Sequence, residues 1–385
     1  MFSRRTDWNL EPNRLARAHR EALASGKKLI DLTISNPTRA EIKYNESAIL
    51  NALSNPESLN YDPQPKGLRS AREAVAGYYA STIDPESVIL TTSTSEAYSF
   101  VFRLLCNPGD EILVPKPSYP LFDFLAELQD VILVPYSLIY DHGWQIDFHS
   151  LENAITSKSR AIVLVHPNNP TGSYVSIDER RQLNELCHRE KLALIIDEVF
   201  LDYAHDGEHN PSFATNEDVL SLTLSGISKI SALPQMKLAW IAVSGPPAEV
   251  TPAIQRLEVI ADTYLSLNAP IQLAARVLLD QRENIQPQLM HRVRANLSEL
   301  DRQLAAQKSC SRLEVKGGWY AVLRIPVTRS DEDFAIELLQ RSGVLVHPGH
   351  FYDFPIDGYL VLSLITAEAE FSSAVSAALQ FAKSL

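Results

Sequence analysis

Seven short, strongly apolar runs crowd the middle of this chain, each breaking off in polar or turn-forming residues: "SVILTT", "DEILVP", "VILVPY", "RAIVLVHP", "LALIIDEV", "VLSLTLS" and "LAWIAVSG". A strand that is apolar at consecutive positions must be covered on both faces, so these runs predict a mostly parallel sheet built from βαβ units. Two of the intervening segments, "SEAYSFVFRLLCNPGD" and "SIDERRQLNELCHREK", have helical character; Pro-Gly ends the first and a serine cap opens the second. After about residue 247 the pattern changes. Two long helical stretches, "APIQLAARVLLDQRE" and "PQLMHRVRANLSELDRQLAAQ", precede a mixed segment "LEVKGGWYAVLRIP", a helix from "SDEDFAIELLQRSG", two strands and a last helix. The first 40 or so residues contain a helix and a short strand, "KLIDLT", ahead of the first central strand. The chain is therefore expected to be α/β, with a large, mostly parallel sheet domain over residues 41–280. A smaller α+β domain takes residues 1–40 and 281–385. At 385 residues the length suits two such units better than one.

Composition narrows the partners. Thirty-five basic against 47 acidic residues give a net charge of −12, and no basic block could lie along a phosphate backbone, so nucleic acid is excluded as an expected partner. No uncharged run reaches membrane-spanning length, and the first residues lack an apolar export segment. Cys106, Cys187 and Cys310 are odd in number and far apart, which suits free thiols in a reducing compartment. A soluble, cytoplasmic protein is the expectation.

Open α/β sheets collect ligands at the carboxyl ends of their strands. Four ends are informative. "LTTSTSEAY" leads through Ser93, Thr94 and Ser95 into a helix, where hydroxyls and free N–H groups suit an anion; an ordinary helix cap explains the same residues. "VHPNNPTG" makes an irregular turn around Asn169, which is also what a plain loop would do. "LIIDEVF" sets Asp197 at the end of an apolar strand, an expensive position for a carboxylate unless a cation meets it. "LTLSGISK" ends in Lys229, and lone lysines after strands are usually solvated. Together the four match one ligand. Pyridoxal 5′-phosphate has a phosphate for the hydroxyl loop, a cationic ring nitrogen for Asp197, a phenolic oxygen for Asn169 and an aldehyde for Lys229.

At this point the sequence resembles the class I/II aminotransferases of fold type I. The likeness runs through "YDPQPKGLRSAREAVAGYY", "NPGDEILVPKPSYPLF", "HPNNPTG", "IIDEV", "SGISK" and "GVLVHPGHFY". It implies that Lys229 is the Schiff-base lysine and proton shuttle, that Asp197 keeps the ring nitrogen protonated, and that Asn169 bonds the ring oxygen. It further implies that Tyr119 lies against the ring face, that Ser93, Thr94, Ser95 and Ser228 hold the phosphate, and that Tyr61 reaches the phosphate across a homodimer interface. Lys237 stands where most of the family has a phosphate-clamping arginine, which keeps the charge and loses the bidentate fork. Phe200 replaces a tyrosine that donates to the ring oxygen in many relatives, with Tyr203 as a substitute donor. Val361 stands where relatives carry an arginine for the substrate carboxylate, leaving His347, His350 and Asn36 as candidates for that role. The implied activity is amino transfer between a small-molecule donor and a carbonyl acceptor. Two other readings suit the same residues: β-elimination or racemisation on the same scaffold, and a weakly catalytic, cofactor-binding regulatory protein. "HDGEH", His205 to His209, lacks the helix and the His-Glu pair of a zinc protease, so no metal is expected there.

Overall fold

A computed structural model of the protein describes residues 1–120 and 122–385. After a short β1 (Ile30–Asp31), the seven apolar runs form β2 (Val88–Thr91), β3 (Glu111–Lys116), β4 (Ile132–Tyr140), β6 (Ser159–Val165), β7 (Ala193–Asp197), β8 (Ser221–Gly226) and β9 (Ala239–Ser244). With β5 (Trp144–Ile146) they make one sheet in the order β2-β9-β8-β7-β6-β3-β4-β5. The stretch from β8 to β4 is parallel, β9 runs antiparallel to both β8 and β2, and β5 is an antiparallel edge. Hence β2, β3, β6, β7 and β8 all end at the same edge of the sheet.

The consecutive apolar residues are explained by the two faces. Val163 and Ile195 pack with Ala97, Phe100 and Val101 of the helix Thr94–Leu105 and with Leu257 of the helix Pro247–Tyr264. Their neighbours Ile162, Leu164, Leu194 and Ile196 point the other way, onto Leu183 and Leu186 of the helix Ile177–Glu190. Successive side chains of a strand face opposite sides, so a run with no polar member is what a sheet between two helical layers demands. The expected serine cap is present: Ser176 Oγ accepts the Glu179 N–H at 3.2 Å while Glu179 Oε2 accepts the Ser176 N–H at 2.8 Å.

Beyond the large sheet lie β10 (Ser311–Arg312), β11 (Tyr320–Arg324), β12 (Val344–Leu345), β13 (His347–Pro348) and β14 (Tyr359–Ser363). An antiparallel sheet β10-β11-β14-β13 packs with the helices Asp331–Ser342 and Glu368–Lys383, and β1 pairs in parallel with β12. Leu15, Ala18, Ala22 and Leu32 share the core that also holds Phe334, Leu338, Val361 and Phe371. The N-terminal segment thus packs with the C-terminal third. The two cores meet at Gly172 and Gly317: a Cβ on Gly172, whose φ is +69°, would lie 2.5 Å from the Gly317 carbonyl oxygen.

Two elements differ from expectation. The helix Pro247–Tyr264 is not among the expected ones; Pro247 occupies its first turn, where its missing N–H has no acceptor to lose. The second of the two expected long helices begins at Arg282, ahead of its expected start, and carries Pro287 in its second turn.

Candidate active site

The common edge of the sheet opens into a cavity between the two cores. β7 delivers Asp197, which is 8% exposed. Its Oδ1 accepts the Val199 N–H at 3.1 Å and its Oδ2 the Tyr98 hydroxyl at 3.3 Å. Burial pushes this carboxyl up to about 6, against the two hydrogen bonds and the nearby Lys229 charge that favour its ionised form. Lys229 comes from the turn Ile227–Ile230 that follows β8. Its Nζ donates to the Ser35 carbonyl at 3.2 Å and lies 5.1 Å from the Trp319 ring centre and 5.6 Å from that of Phe200. Burial brings the ammonium down to about 8, with Asp197 acting in the opposite direction. A lysine at that value is partly an amine near neutral pH, which is the reactive form.

Thr94 and Ser95 open the helix Thr94–Leu105 and line the same cavity. The first N–H groups of a helix have no carbonyl behind them, and the helix dipole makes that end favourable for a phosphate. Ser93 behaves differently: its Oγ accepts the Glu96 N–H at 3.2 Å, so it is the helix cap, and it does not line the cavity. Asn169 and Ser228 line it as well. The buried Oδ1 of Asn169 has no hydrogen-bond partner among the described residues, a costly state for an amide unless a ligand completes it.

A family model described as aminotransferase class I and II matches residues 27–370. The chain belongs to the class I and II aminotransferases. Among similar proteins, a glutamate-pyruvate aminotransferase of Haemophilus influenzae is 27% identical over 350 residues, covering 87% of each chain. An alanine aminotransferase of Mycobacterium tuberculosis is 28% identical over 368 residues, 91% of this chain and 85% of that one. An alanine aminotransferase structure from Pyrococcus furiosus shares the fold over the full length of both chains, with a TM-score of 0.90 at 24% identity. This aminotransferase depends on pyridoxal phosphate and moves an amino group between small molecules.

The donor set of the aminotransferase suits that cofactor. Asn169 has an amide oxygen awaiting a partner, Asp197 is a buried acceptor with one cation nearby, and the helix end offers free N–H groups. Phe200 lines the cavity, 4% exposed, and brings no hydroxyl. Tyr203 does not replace it: its hydroxyl donates to the Lys229 carbonyl at 2.6 Å.

Other expected residues stand apart. Lys237 is exposed, at the left-handed end of the turn Pro234–Met236 with φ 55°, and does not line the cavity. Tyr61, 83% exposed, lines a separate cleft with Leu265 and Gln272. Tyr119 lines the active-site cavity and is 37% exposed. Val361 is 1% exposed within the core that the N-terminal segment shares with the C-terminal third. Of the three candidates for the substrate carboxylate, Asn36 caps the turn Pro37–Arg39, His347 Nδ1 lies 3.1 Å from the Tyr352 hydroxyl, and His350 is exposed. None of the three lines the cavity. His205, of the "HDGEH" loop, has its Nε2 2.9 Å from the Gly318 carbonyl oxygen. Among the described residues, the cavity side chains with polar groups that the sequence did not single out are Ser35, Tyr98 and Tyr320. Only Tyr98 carried a signal: it stands four residues after Thr94 on one helix, and so on the same face.

Proposed function

We propose that Lys229, Asp197, Asn169, Thr94, Ser95 and Ser228 hold the cofactor and that Lys229 also carries the protons of amino transfer. The observation behind this reading is a buried carboxylate and a half-buried amine lining one cavity, each pushed by burial toward its neutral form. Bound there, pyridoxal phosphate supplies an aldehyde that captures amines and a ring that spreads the charge of a carbanion. With that group bound, Lys229, partly unprotonated near neutrality, would be the amine that holds its aldehyde carbon and, when free, the base that carries a proton from the donor carbon to the cofactor. Asp197 would accept from the protonated ring nitrogen. Asn169 would present its amide Nδ2–H to the ring oxygen, and Tyr119 would cover a ring face. Thr94, Ser95 and Ser228 would hold the phosphate, with Ser93 fixing the helix end by capping it. Borohydride reduces a carbon–nitrogen double bond, so treating the loaded enzyme and mapping its peptides is expected to put the modification on residue 229. Label on any other lysine defeats the assignment.

We further propose a cytoplasmic homodimer divided at residues 40/41 and 280/281, in which Tyr61 reaches the phosphate of the partner's site. The exposure of Tyr61 away from its own cavity supports this, as do the three free thiols Cys106, Cys187 and Cys310. Sedimentation is expected to give twice the 42.9 kDa chain mass. Tyr61→Phe is expected to weaken cofactor retention in dialysis by about tenfold, the value of one hydrogen bond to a charged group. A monomeric active enzyme would dismiss the shared site.

A further inference from the structure

Asp197 is not fixed by β7 alone. Its Oδ2 is engaged by the phenol of Tyr98, a residue 2% exposed whose ring meets Phe122 edge-on at 5.3 Å and lies 5.8 Å from Phe102. Those contacts leave the ring little freedom, so the hydroxyl is aimed rather than merely near. Tyr98 also stands one helical turn beyond Thr94 on the helix Thr94–Leu105, and both line the cavity. Positions i and i+4 of a helix share a face. One rigid turn therefore spans from the free N–H groups at the helix end to the carboxylate.

We propose that Tyr98 is a positioning residue: its hydroxyl orients the Asp197 carboxylate toward the cofactor ring and gives Oδ2 the hydrogen bond that the backbone does not supply. This rests on the reading of Asp197 as acceptor for the ring nitrogen. A phenol suits the task because it is neutral. A lysine or arginine in its place would satisfy the carboxylate and compete with the cationic ring, whereas a hydroxyl stabilises the ionised acid and leaves its charge unbalanced. Full burial raises the phenol well above its ordinary value, so Tyr98 remains a donor. The other titratable groups around Asp197 are Lys229 after β8 and Tyr119 after β3, and His166 after β6 has its ring between Tyr174 and Phe213.

The test compares wild type, Tyr98→Phe and Asp197→Asn. The readout is the dissociation constant of pyridoxal phosphate between pH 5 and 9, followed by quenching of protein fluorescence. Below its ionisation Asp197 no longer accepts from the ring, so wild-type affinity falls on the acid side. Losing one donor moves that fall upward by about one pH unit in Tyr98→Phe, giving roughly tenfold weaker binding near pH 6 and near-equal binding at pH 9. Asp197→Asn binds more weakly throughout and loses the acid fall. If Asp197→Asn behaves so while Tyr98→Phe superimposes on wild type, the Tyr98 proposal is overturned; if Asp197→Asn keeps the wild-type profile, the Asp197 reading itself fails. Phenylalanine retains the ring packing, so the cofactor-free variant is expected to melt within a few degrees of wild type. A collapse of its melting temperature would make Tyr98 a structural residue and overturn the positioning role.

Discussion

Replacing Lys229 with alanine is expected to lower the rate of amino transfer by at least about a thousandfold, the loss that follows if one side chain is both nucleophile and proton carrier. The fold tolerates the change. Lys229 sits on a four-residue turn anchored by the fully buried Ile227 and Ile230, and the Tyr203 hydroxyl bonds its backbone carbonyl, which alanine keeps. No second amine takes over, because Lys229 is the one lysine that lines the cavity among the described residues, and Lys237 is exposed outside it. The variant is expected still to bind the cofactor through the groups proposed for its phosphate and ring. A small primary amine such as methylamine, added to the medium, is expected to restore part of the rate, since it supplies the missing base without the chain. Rapid-mixing kinetics with and without methylamine read both effects. A variant that retains about a tenth of wild-type turnover removes Lys229 from the reaction.

The reason Lys229 was legible in the sequence is local. Each principal site residue, Asp197, Asn169 or Lys229, closes an apolar strand or follows it within four residues, so the polar break and the strand pattern point to the same edge. The hydroxyl triad was legible as a helix start and no further: Ser93, Thr94 and Ser95 look alike in sequence, and only the helix geometry separates the cap from the two residues facing the cavity. Ser35 was out of reach, because it meets Lys229 across 194 positions of chain through a contact between the two cores. Tyr320 lies on β11, whose alternation says that one face is buried but not against what. His347, His350 and Asn36 lie outside the cavity for the converse reason. Proximity in sequence to the expected site did not account for Tyr352 taking one of them and a turn taking another.

Asp197→Asn is expected to give a cofactor-free protein more stable than wild type and an enzyme at least about a hundredfold slower, since ring protonation is lost with the acid. The stability effect follows from where the charge is buried. In the folded protein the Asp197 carboxyl keeps its proton up to about 6, whereas in an unfolded chain it does so up to about 3.9. Between those values the native state binds more protons than the unfolded one. The contribution of this group is therefore fully present below about pH 4 and lost as pH rises through 6, a change of about 3 kcal/mol at most. Asparagine carries no charge into the cavity and does not suffer that loss, although it accepts less well from the Val199 N–H and the Tyr98 hydroxyl. At pH 8 the net gain is expected to be about 1–2 kcal/mol, read as a higher melting temperature of the cofactor-free protein. With pyridoxal phosphate added the order reverses, because the cationic ring meets the wild-type carboxylate and not the amide, and only tight binding to the native state raises stability by mass action. Melting curves of both proteins, with and without cofactor at pH 5 and pH 8, decide it: a variant that is no more stable than wild type at pH 8 without cofactor shows that Asp197 is solvated rather than strained. The opposite order at pH 8 means that the carboxylate weakens the empty protein, and the charge responsible is the one expected to draw in the ring.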